Sequence, residues 1–265
     1  MLHLKSINLQ SANLPERYPF SIPAVRALQT LDFTAPVTFF VGENGSGKST
    51  LLEGIAVAAG SIVAGSSDSD HDATLKSIRE LAKVLKLAWL KKTRKGFFLR
   101  AEDFFGYARR LSHIREGLEA DLAAVDEEYK DRSKMARDLA RMPFMHELHE
   151  MQRYGRDFND YSHGESFFAF FKSRFVGEGL YLLDEPEAPL SPLRQLAFLS
   201  MLKEMVSLNA QFIIATHSPI LMAFPDAVIY NFDERPIQAV AYDALEHVTL
   251  TRAFLNNPQQ FLKEL

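Results

Sequence analysis

Short, apolar-rich runs recur near both ends of the 265-residue chain, and between them apolar residues fall at three- and four-residue spacing. The runs LHLKSINL (2–9), LQTLDF (28–33) and VTFFV (37–41) predict strands, and VTFFV, β-branched and aromatic, reads as a buried one. A mostly apolar helix is expected over 50–64, followed by the polar SSDSDHD (66–72), the clearest break in composition. Leu75, Ile78, Leu81, Leu85 and Trp89 predict an amphipathic helix over 72–92. GFFLRAE (96–102) reads as a short strand. Phe104, Ala108, Leu111, Ile114, Leu118, Leu122, Val125 and Tyr129 mark a longer helix, whose stripe is too short for an extended coiled-coil arm. Past residue 165, GLYLLD (179–184), QFIIAT (211–216) and AVIYNF (227–232) read as buried strands, with a helix over 191–208 between the first two.

Apolar runs separated by helices imply a parallel sheet covered on both faces. The expectation is an α/β chain forming a single domain over 1–265. Its core lobe would span about 1–65 and 171–265, with a helical insertion over about 66–170.

Charge and composition narrow the function. A formal net charge of −4 gives no overall attraction to nucleic acid or to an anionic membrane. The absence of cysteine excludes disulfides, thiol catalysis and Cys-ligated zinc, and suits a reducing cytoplasm. MLHLKSINLQ lacks a signal-peptide pattern. The longest apolar stretch, 51–65, is interrupted by Glu53 and is shorter than the roughly 20 residues a bilayer requires, so no transmembrane segment is expected.

The chemistry begins at GENGSGKS, which follows a predicted strand and opens a predicted helix, the context a P-loop requires. Gly42, Asn44, Gly45, Ser46, Gly47, Lys48, Ser49 and Thr50 are its candidate nucleotide-binding residues. Backbone N–H groups and the helix start would cradle a polyphosphate, Lys48 would reach the β- and γ-phosphates, and Ser49 would ligate Mg²⁺. A plain Gly-rich turn is the alternative. LYLLDE ends a predicted strand in two acids: Asp184 would hold Mg²⁺ beside Ser49, and Glu185 would orient or deprotonate the attacking water. Solvated acids at a strand end are the alternative there. QFIIATHSP delivers His217 to the same sheet edge, either towards the γ-phosphate and Glu185 or as a cap before Ser218-Pro219. The expected fold is therefore an α/β P-loop NTPase, a mostly parallel sheet flanked by helices with an inserted helical lobe.

GENGSGKST, YSHGES, LYLLDEPEAPLS and ATHSP, in this order, resemble the nucleotide-binding domain of ABC-type ATPases over nearly the whole chain. The resemblance implies an Mg²⁺-dependent ATPase with ATP and Mg²⁺ as its ligands. It also implies an ATP-sandwiched homodimer. YSHGES would be the signature motif, with Ser162, His163, Gly164 and Glu165 presented to the γ-phosphate on a second copy, and Glu165, in a position often occupied by Gln, is similar to SMC-type ATPases.

Two departures matter. His163 replaces the usual first glycine of the signature, and no Gln occurs from 51 to 151, so the Q-loop glutamine has no counterpart; Arg100 and Glu102 are candidates for its place. Ser191, where transporters usually carry Asp, reads with Pro192 as a helix N-cap and N1. The wording resembles stand-alone bacterial ATPases of the SMC-like and overcoming-lysogenization-defect-like groups. This implies a cytoplasmic protein outside transport, in DNA maintenance or phage defence, with an unknown protein or DNA partner. The alternative is the ATP-binding subunit of a membrane transporter. KKTRK (91–95) reads either as a DNA-phosphate patch or as the basic end of a helix before a Gly96 cap. Tyr18 or Phe20 would stack on adenine or fill core, and FFAFF reads as core or dimer-facing.

Overall fold

Strands buried on both faces need apolar side chains at every position, and VTFFV, LYLLD and QFIIA supply them around few polar groups. In the computed structural model, which describes residues 2–10, 14–63, 75–153 and 163–263, the chain runs through β1 (Leu4–Leu9), α1 (Pro23–Arg26), β2 (Thr30–Asp32), β3 (Val37–Val41) and α2 (Lys48–Ala59). It continues through β4 (Ile62–Val63), α3 (Leu75–Val84), β5 (Leu85–Trp89) and β6 (Phe97–Arg100) to the helices α4 (Ala101–Glu128), α5 (Lys134–Arg153) and α6 (His163–Arg174). The remainder is β7 (Leu180–Asp184), α7 (Pro192–Ser207), β8 (Gln211–Ala215), α8 (Pro219–Met222), β9 (Val228–Asn231), β10 (Gln238–Ala239), α9 (Glu246–Asn256) and α10 (Pro258–Leu262). SSDSDHD, Tyr161 and Ser162 lie outside the described residues.

Among these residues the main sheet has the order β10-β9-β3-β8-β7-β6-β4, parallel throughout except for the edge strand β10. All positions of β3, β7 and β8 are buried. Their side chains alternate between two cores, as a period of two requires. Phe39, Tyr181, Leu183, Phe212 and Ile214 face the core shared with α6 and α7, where Phe167, Phe171 and Phe198 join them. Phe40, Leu182, Ile213 and Ala215 face the other, with Leu51, Leu52 and Ile55 of α2. FFAFF thus supplies core: Phe171 stands 5.0 Å from Phe198 and 4.9 Å from Phe175, ring centre to ring centre.

The smaller sheet, β2-β1-β5, is antiparallel. It is tied to the main sheet by Gln211, which is fully buried at the start of β8. Its Oε1 accepts from the N–H groups of His3 and Leu4, both at 2.8 Å, and its Nε2 donates to the Leu4 carbonyl at 2.9 Å. A buried amide side chain is tolerated here because each of its bonds replaces one lost to water.

The structure corrects three sequence expectations. The helix expected over 72–92 ends at Val84, and Leu85–Trp89 form β5 instead. Leu85, Leu87 and Trp89 satisfy alternation as well as helical spacing, and the backbone edge of β1, which pairs with all of Leu85–Trp89, decides the outcome. The helix expected over 50–64 stops at Ala59. Gly60 adopts φ 69° and its N–H bonds back to the Ala56 and Val57 carbonyls, which frees Ile62–Val63 to join the sheet as β4. KKTRK does not close a helix, and Gly96 caps none. The segment links β5 to β6, with Lys91 and Lys95 at 2.9 and 3.5 Å from the Glu178 carboxylate. Gly96 itself lies against the Leu180 backbone, where a Cβ would come within 1.9 Å of the carbonyl oxygen.

Replacing Gln211 by Ala would strand two buried backbone donors. Chemical denaturation is expected to show a loss of about 2–5 kcal/mol; a loss within the error of the wild-type value would mean that β1 is not held through this side chain.

Candidate active site

Three neighbouring strands, β3, β8 and β7, end at one edge of the sheet, and each hands a polar residue to the loop that follows. In open parallel sheets this carboxyl edge is where ligands bind. The loop Gly42–Gly47 joins β3 to α2. Gly47 at φ 107° lies so close to Ile22 that a Cβ would approach its side chain to 2.7 Å. Gly42, at φ 141°, would meet the Asp233 carboxylate at 3.0 Å. Side chains at these positions would force the loop apart.

Lys48 begins α2 and is buried; its Nζ donates to the Gly42 and Glu43 carbonyls at 2.8 Å each. Burial pulls its pKa down, while Asp233, Asp184, Glu185 and Glu43 hold it up, in that order. Ser49 Oγ donates to Asp184 Oδ1 at 3.0 Å across the β3–β7 gap. Asp184 is buried at the end of β7, and its pKa is raised to about 7, chiefly by desolvation, with Glu185 and Glu53 adding to the rise and the Ser49 bond and Arg100 opposing it. A hydroxyl and a desolvated carboxylate oxygen this close are the hard oxygen donors that Mg²⁺ takes. The residues present therefore fit that ion.

Glu185 follows at φ 50°, a left-handed conformation unusual for Glu, fixed by its N–H bond to the Ala215 carbonyl at 2.9 Å. Its Oε1 stands 3.9 Å from His217 Nε2, so the two are adjacent without a direct hydrogen bond, and both side chains remain open to solvent. Burial and then Lys48 lower the His217 pKa, with Glu185 opposing them, which favours the neutral ring. The cap before Pro219 is Ser218: its Oγ accepts from the Leu221 N–H at 3.2 Å. His217 is left free of the capping role.

Asn44 and Gly45 are exposed at the loop tip, and Thr50 is buried with its Oγ1 3.4 Å from the Tyr18 hydroxyl. Ser46 Oγ is buried without a partner. Tyr18 is half exposed beside α2, whereas Phe20 is core. Arg100 lies opposite Asp184 in the β6–β7 register and pairs with Glu53; only the backbone of Glu102 is described. Ser162 falls outside the described residues, while His163, Gly164 and Glu165 form the first turn of α6. Ser191 occupies the N-cap of α7 with Pro192 at N1, as the sequence suggested, although its side chain makes no capping bond.

Three residues escaped the sequence reading. Glu187 is partly buried beside His217, where its Oε1 accepts from Thr216 Oγ1 at 2.6 Å and from the His217 N–H at 2.7 Å. Desolvation raises its pKa. It braces the loop after β8 against the loop after β7, and a third acid two residues beyond Asp184-Glu185 was its only signal. Asp233, after β9, accepts from the Glu43 N–H through both carboxylate oxygens, at 2.9 and 3.1 Å. His247, in α9, shares the surroundings of Asp233, Glu43 and Lys48. Neither carries a motif.

Asp184 sets a pH dependence. Because its folded pKa lies above the ordinary 3.8, folding favours the protonated acid. The penalty for ionising it is absent below pH 4, grows up to about pH 7 and is complete above. In EDTA, Asp184→Asn is expected to be more stable than wild type at pH 8 by up to about 4 kcal/mol, and the gap should close as pH falls to 4. Thermal unfolding across that range checks it, and a variant weaker than wild type at pH 8 would contradict the assignment.

Residues 21–152 match a family described as an AAA domain. No curated protein matches the chain. Among solved structures the chain is similar to the Smc head domain of Pyrococcus furiosus bound to the C-terminal domain of ScpA: identity is 12%, TM-score 0.46, and the match covers 98% of this chain and 100% of that one. It is similar to cbiO1 from Clostridium perfringens, part of the ABC transporter complex cbiONQ, at 17% identity and TM-score 0.44, with 100% of both chains covered. The SMC head domain of Thermotoga maritima matches at 15% identity and TM-score 0.42, over 91% of this chain and 100% of that one. The matched family segment, just under half of the chain, runs from just before α1, through the P-loop, almost to the end of α5.

Proposed function

We propose that the chain is an Mg²⁺-dependent ATPase of ABC type that works as an ATP-sandwiched homodimer. The observation that carries this reading is the 3.0 Å bond between Ser49 and Asp184, which closes the P-loop onto the acids of β7. Gly42, Asn44, Gly45, Ser46, Gly47 and Thr50 would present backbone and hydroxyl donors to the phosphates, and Lys48 would neutralise their terminal charge. Ser49 and Asp184 would hold Mg²⁺, which when bound supplies charge neutralisation at the β- and γ-phosphates. Glu185 would take a proton from the water that attacks the γ-phosphorus; ADP departs as the bond to the β-phosphate oxygen breaks. His217, neutral and beside Glu185, would donate a hydrogen bond to the γ-phosphate, with Glu187 holding its backbone in place.

The domain reading is a single unit over 1–265, with core lobe 1–65 and 171–265 and an insertion over 66–170; because β5 joins the smaller sheet and β6 the main one, the α4–α5 pair best fits the helical character expected of that insertion. Ser162, His163, Gly164 and Glu165 would face the nucleotide of a second copy, because a serine and the first turn of a helix suit an anion supplied from outside. A cytoplasmic role in DNA maintenance or phage defence is what the resemblance of the motifs to stand-alone SMC-like ATPases implies, and the stretch between P-loop and signature supports a role outside transport. That stretch holds no Gln from 51 to 151 to couple a membrane partner. No helix among the described residues is long and apolar enough to cross a membrane.

Glu185→Gln keeps the shape of the side chain and removes its basicity. It is expected to lower kcat about 10²–10⁴-fold while ATP binding persists, and to run as a dimer in size-exclusion chromatography with ATP and Mg²⁺. Full turnover in the variant would remove Glu185 as the base, and a persistent monomer would remove the sandwich.

A further inference from the structure

Four side chains close a ring across three elements beside the P-loop. Ser49 and Glu53 lie four residues apart on α2, so they share one face of that helix. Asp184 ends β7, Arg100 ends β6, and the two are direct partners in the parallel register. Both point towards α2. With a period of two along each strand, Asp184 falls on the side of Leu182 and Arg100 on the side of Phe98, and these two pack in the core that α2 covers. Ser49 Oγ donates to Asp184 Oδ1 at 3.0 Å, and Arg100 Nη2 stands 2.5 Å from Glu53 Oε1. The Arg100–Glu53 pair is enclosed, with side-chain exposures of 15% and 13%. The guanidinium rests over the Phe98 ring, 5.5 Å from its centre. Its Nε is buried without a hydrogen-bond partner, so it retains a donor that Glu53 does not engage. The cation that strand register places next to Asp184 is thus held by a third residue, one that belongs to the P-loop helix.

An enclosed guanidinium beside an enclosed carboxylate ordinarily pairs with it. An Asp184 paired in that way would have to give up its partner before it could take a divalent cation. We propose that Glu53 is a positioning residue of the metal site: by engaging Arg100 it keeps that guanidinium from pairing with Asp184 and leaves the carboxylate open to a divalent cation. This rests on the reading of Ser49 and Asp184 as Mg²⁺ donors. Asp184 feels both members of the pair, Arg100 as attraction and Glu53 as repulsion, as their places in the ring require. Because Ser49 and Glu53 share α2, any shift of that helix moves a metal donor and the hold on Arg100 together.

Calorimetric titration of adenylyl-imidodiphosphate into wild type, Glu53→Gln, Glu53→Asp and the double variant Glu53→Gln/Arg100→Gln, each with Mg²⁺ and again in EDTA, tests this. The gain in affinity that Mg²⁺ brings reads the metal site, because the nucleotide's own affinity for Mg²⁺ is common to all the proteins. Glu53→Gln is expected to cut that gain about tenfold, since a charge-assisted hydrogen bond from Arg100 to Asp184 then competes with the ion. Its affinity in EDTA should not fall. Glu53→Asp, which keeps the charge, should retain most of the gain, and removing Arg100 in the double variant should restore it. An undiminished gain in Glu53→Gln overturns the proposal. So does a double variant as impaired as the single one, because a merely structural loss is not relieved by a second. Should a variant fail to fold, the wild type decides: the scalar coupling across the Arg100–Glu53 hydrogen bond should persist when Mg²⁺ and the analogue bind, and its loss on binding overturns the proposal. Wild type that binds the analogue equally with and without Mg²⁺ would instead remove the metal reading of Ser49 and Asp184, and the proposal with it.

Discussion

The register of β3, β8 and β7 governs everything at the candidate site. Phe40 lies opposite Ala215, and Ala215 opposite Asp184, so the three strands end level and their loops share one edge. Both faces of these strands are buried, and adjacent residues such as Phe39 and Phe40 belong to opposite cores. A slip of one residue would push each ring into the wrong core. The packing of apolar side chains thereby fixes, to a fraction of a residue, where Lys48, Asp184, Glu185 and His217 emerge. No polar interaction in the site could impose that alignment, because each polar group sits on a loop that the strands deliver.

The same burial gives the site its electrostatic character. Lys48 and Asp184 are both drawn out of water at this edge of the sheet, and Glu187 is partly so beside them. Desolvation disfavours each charged form. A polyphosphate and a divalent cation would supply the missing counter-charges, Lys48 gaining an anion and Asp184 a cation. Ligand binding would thus relieve a cost that folding imposes, which is how a site can be preorganised for charge and still stable enough to fold. Arg100 extends this arrangement: it sits beside Asp184 through strand register and is paired with Glu53 of α2. It links the β6 end, where the Q-loop glutamine has no counterpart in the sequence, to the P-loop helix.

Local chemistry made much of this legible from sequence. A P-loop announces itself because its glycines, lysine and serine are contiguous, and the continuous apolar runs of β3, β7 and β8 announce strands covered on both faces. What the sequence concealed depends on partners distant along the chain. Leu85, Leu87 and Trp89 fit a helix and a strand equally well until β1 offers its edge. Lys91 and Lys95 look like the end of a helix or a phosphate patch until Glu178, over eighty residues away, receives them. Glu187, Asp233 and His247 carry no motif, since their positions relative to His217, Glu43 and Lys48 exist only after the sheet has formed. The Phe-rich run of α6 sat between two readings, and only its packing against Phe97 and Phe198 assigns it to the core.

The central claim is that the loop after β3 and the acids after β7 form one ATP-hydrolysing centre. Release of labelled phosphate from [γ-³²P]ATP with Mg²⁺, compared between wild type and a folded Lys48→Ala variant, tests it most directly. The account predicts steady release by wild type, its abolition by EDTA, and a loss of at least about a hundredfold in the variant, as expected when a preorganised charge is removed from a phosphoryl-transfer site. Release that is equal in the two proteins, or none from wild type under any nucleotide and divalent cation, would contradict it.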